Sequence, residues 1–137
     1  MIYHQFDISK NNFHYNAYIY RSQIMWNSHF HDSYELIYVY NGELEVSFNG
    51  ERTTLEPHEL LLLSPNAVHS FEVKEGMEVW VGVFSTDHVD AFAHKYSAVQ
   101  FGKFRCEREC ERMLEEKLFI GEKPDRYLRI SYLYAIC

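Results

Sequence analysis

The chain of 137 residues lacks the features of a membrane or exported protein. No apolar stretch approaches the roughly 20 residues that a helix needs to cross a bilayer. The first residues, "MIYHQFDISK", do not have the pattern of a secretory signal peptide. Internal repeats and low-complexity tracts are absent too. We therefore expect a soluble, cytoplasmic protein without a membrane partner.

Cysteine and positive charge are both scarce. The three cysteines, Cys106, Cys110 and Cys137, form neither a CxxC pair nor the framework of a disulfide-rich secreted domain. Cys106 and Cys110 are four residues apart, and we expect both to serve as small buried hydrophobic side chains. Thirteen basic against 20 acidic residues give a net charge of −7. Such a charge argues against direct binding of a phosphate backbone by this chain.

Hydrophobic residues, at 47%, and aromatic residues, at 17%, are plentiful, which excludes a disordered segment. Up to about residue 84 the pattern is that of β-structure. Asn41-Gly42 and Asn49-Gly50 both predict hairpin turns, because Asn-Gly tolerates positive φ at both central positions. The segments 59–65, 69–73 and 77–84 complete roughly eight short strands, which favours a sandwich or small barrel.

After residue 85 the periodicity becomes helical. Ser85 or Thr86 can cap a short helix, and apolar residues recur at helical spacing through 106–121, with Gly121 at the expected end. Pro124 can begin a third helix. That apolar segment continues to Cys137 without a C-cap or charged tail, so we expect the chain to be part of a longer protein.

The stretch "HFHDSYELIYVYNG", residues 29–42, contains the strongest candidate site. In a strand His29 and His31 project to the same face, and Glu35 shares their parity. His69, from a strand more than thirty residues away, can reach the same barrel interior. Imidazoles and a carboxylate form a plausible set of ligands for a divalent transition metal such as Zn, Ni, Fe, Mn or Cu. The same groups can instead bind an effector directly or support each other.

Aromatic residues supply candidate walls for a ligand pocket. Trp26 and Tyr18 are the leading candidates, together with Tyr20, Tyr38 and Trp80. Aromatic faces stack on the apolar faces of sugars, while polar side chains fix the hydroxyl groups, so a carbohydrate is the first expectation. The alternative is that the eleven tyrosines are strand formers. Leu36, Tyr38 and Tyr40 have the opposite phase to Glu35, and we expect one of the two apolar faces to line the interior and the other to lie under a neighbouring layer.

The spacing His29-x-His31-x3-Glu35-x6-Gly42 resembles the first motif of the cupin superfamily, except that Gln23 replaces its leading glycine. The second motif is matched in spacing more than in identity, at five positions: His58, Ser64, Asn66, His69 and Val73. Over roughly residues 20–137 the chain resembles the N-terminal sensor domain of AraC-family transcription regulators.

This resemblance implies a mainly β fold, a cupin-type double-stranded β-helix (jelly-roll barrel) followed by two to three C-terminal α-helices. Residues 1–85 would form the barrel that binds a small effector at His29, His31, Glu35, His69, Trp26 and Tyr18. Residues 86–137 would form a helical homodimerisation segment, and a helix-turn-helix domain absent from this chain would contact DNA.

The expected mechanism is a population shift in which the effector changes how the DNA-binding domains are presented, without catalysis. The degraded second motif, especially Val73, argues against an enzyme. Two alternatives remain open. One is a metal-dependent cupin enzyme of the isomerase or dioxygenase type, and the other is a cupin binding protein with no DNA partner.

Overall fold

The computed structural model describes residues 2–4, 14–97, 99–120 and 126–137, without the side chains of Tyr3, His4 and Arg126. Within these residues the chain forms ten strands: β1 (Tyr3–His4), β2 (Tyr15–Tyr20), β3 (Ile24–Phe30), β4 (Tyr34–Asn41), β5 (Leu44–Phe48), β6 (Glu51–Leu55), β7 (Glu59–Leu63), β8 (His69–Val73), β9 (Glu78–Phe84) and β10 (Phe104–Arg105).

The strands form two five-stranded sheets that enclose an apolar interior. One sheet has the order β1-β3-β8-β5-β6 and the other the order β10-β7-β4-β9-β2. Neighbouring strands are antiparallel, apart from the parallel pair β1 and β3. The predicted mainly β barrel followed by C-terminal helices is confirmed.

The two Asn-Gly turns have different structural roles. Asn49 and Gly50, with φ of 48° and 80°, connect β5 to β6 as the predicted hairpin. The hairpin predicted at Asn41-Gly42 is wrong, because β4 and β5 belong to different sheets and the chain crosses between them there. Gly42 has φ +93°, and a Cβ atom on it would lie 2.7 Å from Met77 Cγ. Its missing side chain therefore permits close packing at the crossing as well as the turn.

Strand β4 has apolar side chains on both faces, as its alternation predicts. Ile37 and Val39 lie in the core between the two sheets. Leu36 and Tyr38 point the other way into a second core. The helices cover this core, and Leu114 is one of the helical side chains that pack into it. The inward face of β4 also carries Glu35, so the barrel interior and the candidate site are continuous.

The helical part begins with a 3₁₀ turn, Thr86–Val89, that leads into α1 (Asp90–Lys95). Helix α2 (Arg108–Met113) continues as a π-helical segment, Leu114–Phe119, and α3 spans Arg126–Ile136. Since β10 pairs with β7, the chain returns to the barrel between α1 and α2.

The predicted start of the second helix at residue 106 is wrong. Glu107 has an extended backbone (φ −75°, ψ 164°), which leaves Cys106 outside α2. The predicted helix end at Gly121 and helix start at Pro124 lie outside the described residues. None of the helices in the described ranges is long and apolar enough to cross a membrane.

Candidate functional site

Three strands converge to form a polar cluster within the barrel. His29 lies on β3 and is paired in register with His69, the first residue of β8. His31 follows the end of β3, and Glu35 projects from β4. All four side chains are buried, with residue exposures of 2% to 3%. The four residues that the sequence singled out as candidate ligands are therefore neighbours in space.

The carboxylate of Glu35 is at the centre of this cluster. Its Oε2 atom lies 2.9 Å from His31 Nε2 and 3.0 Å from His69 Nε2. The rings of His29 and His69 have centroids 4.2 Å apart. One ligand atom from each of the four residues lies within 4.8 Å of the others.

Each imidazole is oriented through its other ring nitrogen. The Nδ1 atom of His29 donates to the carbonyl oxygen of Asn27 at 2.8 Å, and that of His69 to Ala67 at 2.8 Å. His31 Nδ1 donates to the carbonyl oxygen of Ser33 at 3.1 Å. With the Nδ1 atoms used as donors, the Nε2 atoms are directed toward Glu35 and toward each other. Metal-binding histidines are commonly oriented by such a contact.

The protonation of the cluster residues determines whether the cluster can bind a metal ion. In both His31 and His69, Nδ1 faces a backbone carbonyl and Nε2 faces the Glu35 carboxylate. If both nitrogens of both rings carried a proton, two imidazolium cations would lie beside one buried carboxylate. A divalent ion instead requires neutral imidazoles with free Nε2 lone pairs and an ionised carboxylate. Tetrahedral ligands at roughly 2.1 Å from one ion lie about 3.4 Å apart. The four candidate ligand atoms, which lie within 4.8 Å of one another, would therefore need only a small contraction around an ion. The donor set thus fits a divalent transition metal.

Burial and hydrogen bonding oppose each other at these groups. Burial alone would raise the pKa of Glu35, but hydrogen bonds from His31 and His69 outweigh it and hold that pKa at about 2. Burial lowers the pKa of His29. Burial acts in the same direction on His69, where the hydrogen bond to Glu35 prevails and raises the pKa. Glu35 is therefore an anion in the folded protein at neutral pH.

Beside the cluster lies a cavity of about 160 Å³. It has a mainly aromatic and aliphatic wall with two polar cluster residues at one end: Tyr18, Tyr20, Trp26, His29, Glu35, Phe71, Val81 and Val83. Tyr18 and Tyr20 stack with ring centroids 5.9 Å apart, and Trp26 lies 5.8 Å from the His29 ring. The cavity and the candidate metal ligands therefore share two residues.

The buried indole Nε1 atom of Trp26 has no hydrogen-bond partner in the structure. The Tyr20 hydroxyl lies beside it without the geometry of a good hydrogen bond, and burial raises the pKa of that hydroxyl to about 12 although the Trp26 N–H acts in the opposite direction. A buried N–H group without an acceptor is costly and thus rare. An acceptor atom on a ligand in the cavity would satisfy it.

A β-bulge explains how Trp26 and His29 both line the cavity. Residues three apart on a regular strand face opposite sides. The register of β3 against β8 shifts between Trp26 and His29, which reorients one of them. Alternation alone could not have predicted this arrangement.

The structure does not bring every predicted aromatic residue to the cavity. Tyr38 and Trp80 lie in the core beneath the helices, on the opposite face of their sheet. Conversely, sequence reasoning did not identify Phe71, Val81 and Val83 as cavity residues. The sequence could have indicated Phe71, because it lies two residues after His69 in β8 and therefore faces the same side of the strand.

The degraded second motif retains its backbone geometry. His58 and Asn66 both occupy the left-handed region, with φ of 70° and 65°, where glycine would be favoured. The backbone N–H of Asn66 donates to the carbonyl oxygen of His31 at 2.7 Å, so this turn supports the cluster. Val73 is fully buried in the barrel core.

Three larger surface depressions measure about 420, 500 and 310 Å³, and the last of them includes His69 among its lining residues. The first of them shares two lining residues, Trp26 and Phe71, with the cavity. The 160 Å³ cavity is the one of these four that is lined by two of the candidate ligands, His29 and Glu35, and by a mainly aromatic and aliphatic wall, so it remains the candidate site.

Comparisons with solved structures show the fold. The chain resembles ToxT from Vibrio cholerae with a TM-score of 0.62 and 13% identity, covering 92% of this chain and 55% of ToxT. Wild-type ToxT of strain SCE256 with a bound unsaturated fatty acid gives 0.58 and 18%, covering 90% and 51%. ToxT of Vibrio cholerae O395 bound to (E)-4-(8-methylnaphthalen-1-yl)but-3-enoic acid gives 0.57 and 13%, covering 89% and 54%. The chain thus spans about half the length of these proteins.

A search of curated protein sequences finds no match to the chain. The family comparison does: a model of the AraC-like ligand binding domain matches residues 14–109, which include both motifs, the buried cluster and the cavity. The chain belongs to the family of AraC-like ligand binding domains.

Proposed function

We propose that this chain is the effector-sensing domain of an AraC-type transcription regulator, with the effector bound in the 160 Å³ cavity beside His29 and Glu35. The observation that carries the proposal is the continuity between that cavity and the buried cluster of His29, His31, Glu35 and His69. An enclosed apolar wall with a few convergent polar groups is the usual composition of a small-molecule site.

The cavity favours a compact effector. Its volume is close to that of an engineered cavity of about 150 Å³ that accommodates benzene. A small carbohydrate would stack on Tyr18 or Trp26 and direct hydroxyl groups toward His29 and Glu35. The N–H of Trp26, which makes no hydrogen bond of good geometry in the structure, would donate to one of its oxygen atoms. A long-chain molecule would need the cavity to open.

A second candidate is a small carboxylic acid, since ToxT structures contain an unsaturated fatty acid and a synthetic butenoic acid. Beside the ionised Glu35, the carboxylate of such a ligand needs a compensating positive charge. A divalent ion held by the four cluster residues would supply that charge and could receive the carboxylate. Metal dependence therefore separates the two effector classes.

The effector would act through differential binding. In our proposal residues 1–85 bind it, while residues 86–137 transmit the change and form a homodimer that presents DNA-binding domains outside this chain, in the cytoplasm. The exposed apolar residues Tyr127 and Leu128 of α3, at 74% and 50% exposure, support the dimer. Leu114, Leu118 and Leu133 are buried against the barrel instead.

No catalytic step is needed for this role. The alternative function, a metal-dependent isomerase or dioxygenase, is supported by the fit of the cluster to a metal with open coordination positions. An enzyme would require stoichiometric metal for turnover, whereas a sensor of neutral sugars would bind its effector after treatment with a chelator.

Isothermal titration of the chain with neutral monosaccharides and with short carboxylic acids tests the proposal. Each series is measured with EDTA and with added Ni²⁺. We expect saturable binding of one series that weakens at least tenfold in Tyr18→Ala and is unchanged in Arg52→Ala, an exposed substitution on β6. Saturable binding that Tyr18→Ala leaves intact would contradict the assignment of the cavity.

A further inference from the structure

Cys106 and Cys110 have their sulfur atoms 2.6 Å apart, although both cysteines are free thiols. A disulfide bond measures about 2.05 Å, so only a small displacement separates the pair from bonding distance. The pair lies where β10 leads into α2, far along the chain from the cluster residues.

The backbone at Glu107 makes this approach possible. On a regular helix, residues four apart have Cβ atoms about 5–6 Å apart, whereas a disulfide needs about 3.5–4.5 Å. Glu107 is extended rather than helical, and this allows Cys106 to fold back over the first turn of α2 toward Cys110. The expectation that both cysteines are merely small hydrophobic side chains on one helix face does not account for this contact.

The two thiols differ in accessibility. Cys106 is buried, with 6% exposure, whereas Cys110 is partly exposed. The shared S–H contact and burial raise the pKa of Cys106. The contact with Cys106 lowers the pKa of Cys110 despite burial. Cys110 is thus the thiol that meets a dissolved reagent and ionises first.

We propose that Cys106 and Cys110 form a reversible disulfide by exchange with a low-molecular-weight disulfide such as oxidised glutathione. The Cys110 thiolate attacks one sulfur of the reagent, forms a mixed disulfide and releases one thiolate. The Cys106 thiolate then attacks Cys110 Sγ and releases the second thiolate. Two protein thiols are oxidised, one reagent disulfide is reduced, and the two thiolates take up the protons that the cysteines lost.

The bond would fasten the helical segment to the barrel edge. The backbone N–H of Cys106 donates to the carbonyl oxygen of His58 at 2.8 Å, directly after β10 pairs with β7. Glu111, which follows Cys110, accepts from His58 Nδ1 at 2.9 Å. Oxidation would therefore reinforce a junction at which the first turn of α2 already contacts the turn before β7.

Exposure of the 137-residue chain to oxidised glutathione, with intact-mass analysis and peptide mapping, tests this inference. We expect a loss of about 2 Da and a Cys106–Cys110 cross-link in the Cys137→Ser chain and in the unsubstituted chain. Dithiothreitol should reverse both changes. Amide exchange over residues 106–113 should slow at least threefold on oxidation.

Single substitutions assign the two roles. In a Cys137→Ser background, Cys106→Ser should stop at one mixed disulfide on Cys110, and Cys110→Ser should react at least tenfold more slowly. A chain that remains at the mixed disulfide, a cross-link to Cys137 in place of the expected one, or equal rates for the two variants would overturn the proposal. The cross-link in the unsubstituted chain is informative even if a serine variant is poorly folded.

Discussion

Metal binding to the buried cluster should raise thermal stability by an amount that follows from mass action and the length of the chain. A ligand at 100 times its dissociation constant that binds the folded state alone stabilises it by about 2.7 kcal/mol. With an unfolding entropy of about 2.1 cal/mol/K per residue, this corresponds to a rise in Tm of about 9 °C for 137 residues. The increase should be measured with Ni²⁺, Zn²⁺ and Mn²⁺ on chelator-treated protein.

The matched variants are His69→Ala and His94→Ala. His69 contributes one of the four ligand atoms, so its removal should abolish most of the metal-induced increase. His94 lies exposed on α1, and its removal should leave the increase unchanged. Comparing the metal-induced change within each variant removes the effect of the substitution on the metal-free protein. An equal increase in His69→Ala would show that the ion binds elsewhere, and no increase for any of the three ions would refute the metal assignment.

Two further predictions concern the barrel itself. Gly42→Ala should lower the free energy of unfolding by about 2–4 kcal/mol, because the new Cβ would lie 2.7 Å from Met77 Cγ at a residue with φ +93°. Gly76→Ala is the control: Gly76 has φ +86° but open space around it, so the substitution should cost only about 1 kcal/mol. Equal losses for the two variants in urea titrations would contradict the close-packing argument. Burial raises the pKa of Tyr20 from 10.0 to about 12, so the stability that the neutral hydroxyl confers is complete below pH 10 and declines as the pH rises toward 12. Tyr20→Phe should reduce that alkaline loss in urea titrations at pH 9 and pH 11, and an identical loss in both chains would place its cause elsewhere.

Local sequence patterns predicted the phase of β4 well. The alternation of Glu35, Ile37 and Val39 with Leu36 and Tyr38 correctly assigned two faces, because a period of two is a direct property of a strand. The spacing of the histidines and Glu35 likewise anticipated the cluster that the structure brings together.

Features that depend on non-local geometry could not be predicted in this way. Asn41-Gly42 has the local chemistry of a hairpin turn, yet the partner strands that place β4 and β5 in separate sheets are distant in sequence. The bulge between Trp26 and His29 and the back wall at Val81 and Val83 depend on how strands pair. The extended backbone at Glu107 interrupted a helical pattern that apolar periodicity alone would have continued.

The central claim, that the effector occupies the barrel interior, is tested most directly by fluorescence of the two tryptophans. Trp26 lines the cavity, and Trp80 lies in the other core beneath the helices. On titration with the effector class identified by calorimetry, Trp80→Phe should retain a saturable change in Trp26 emission at the calorimetric midpoint, and Trp26→Phe should lose the change. A saturable signal confined to Trp80, observed in Trp26→Phe with the same midpoint, would contradict the account.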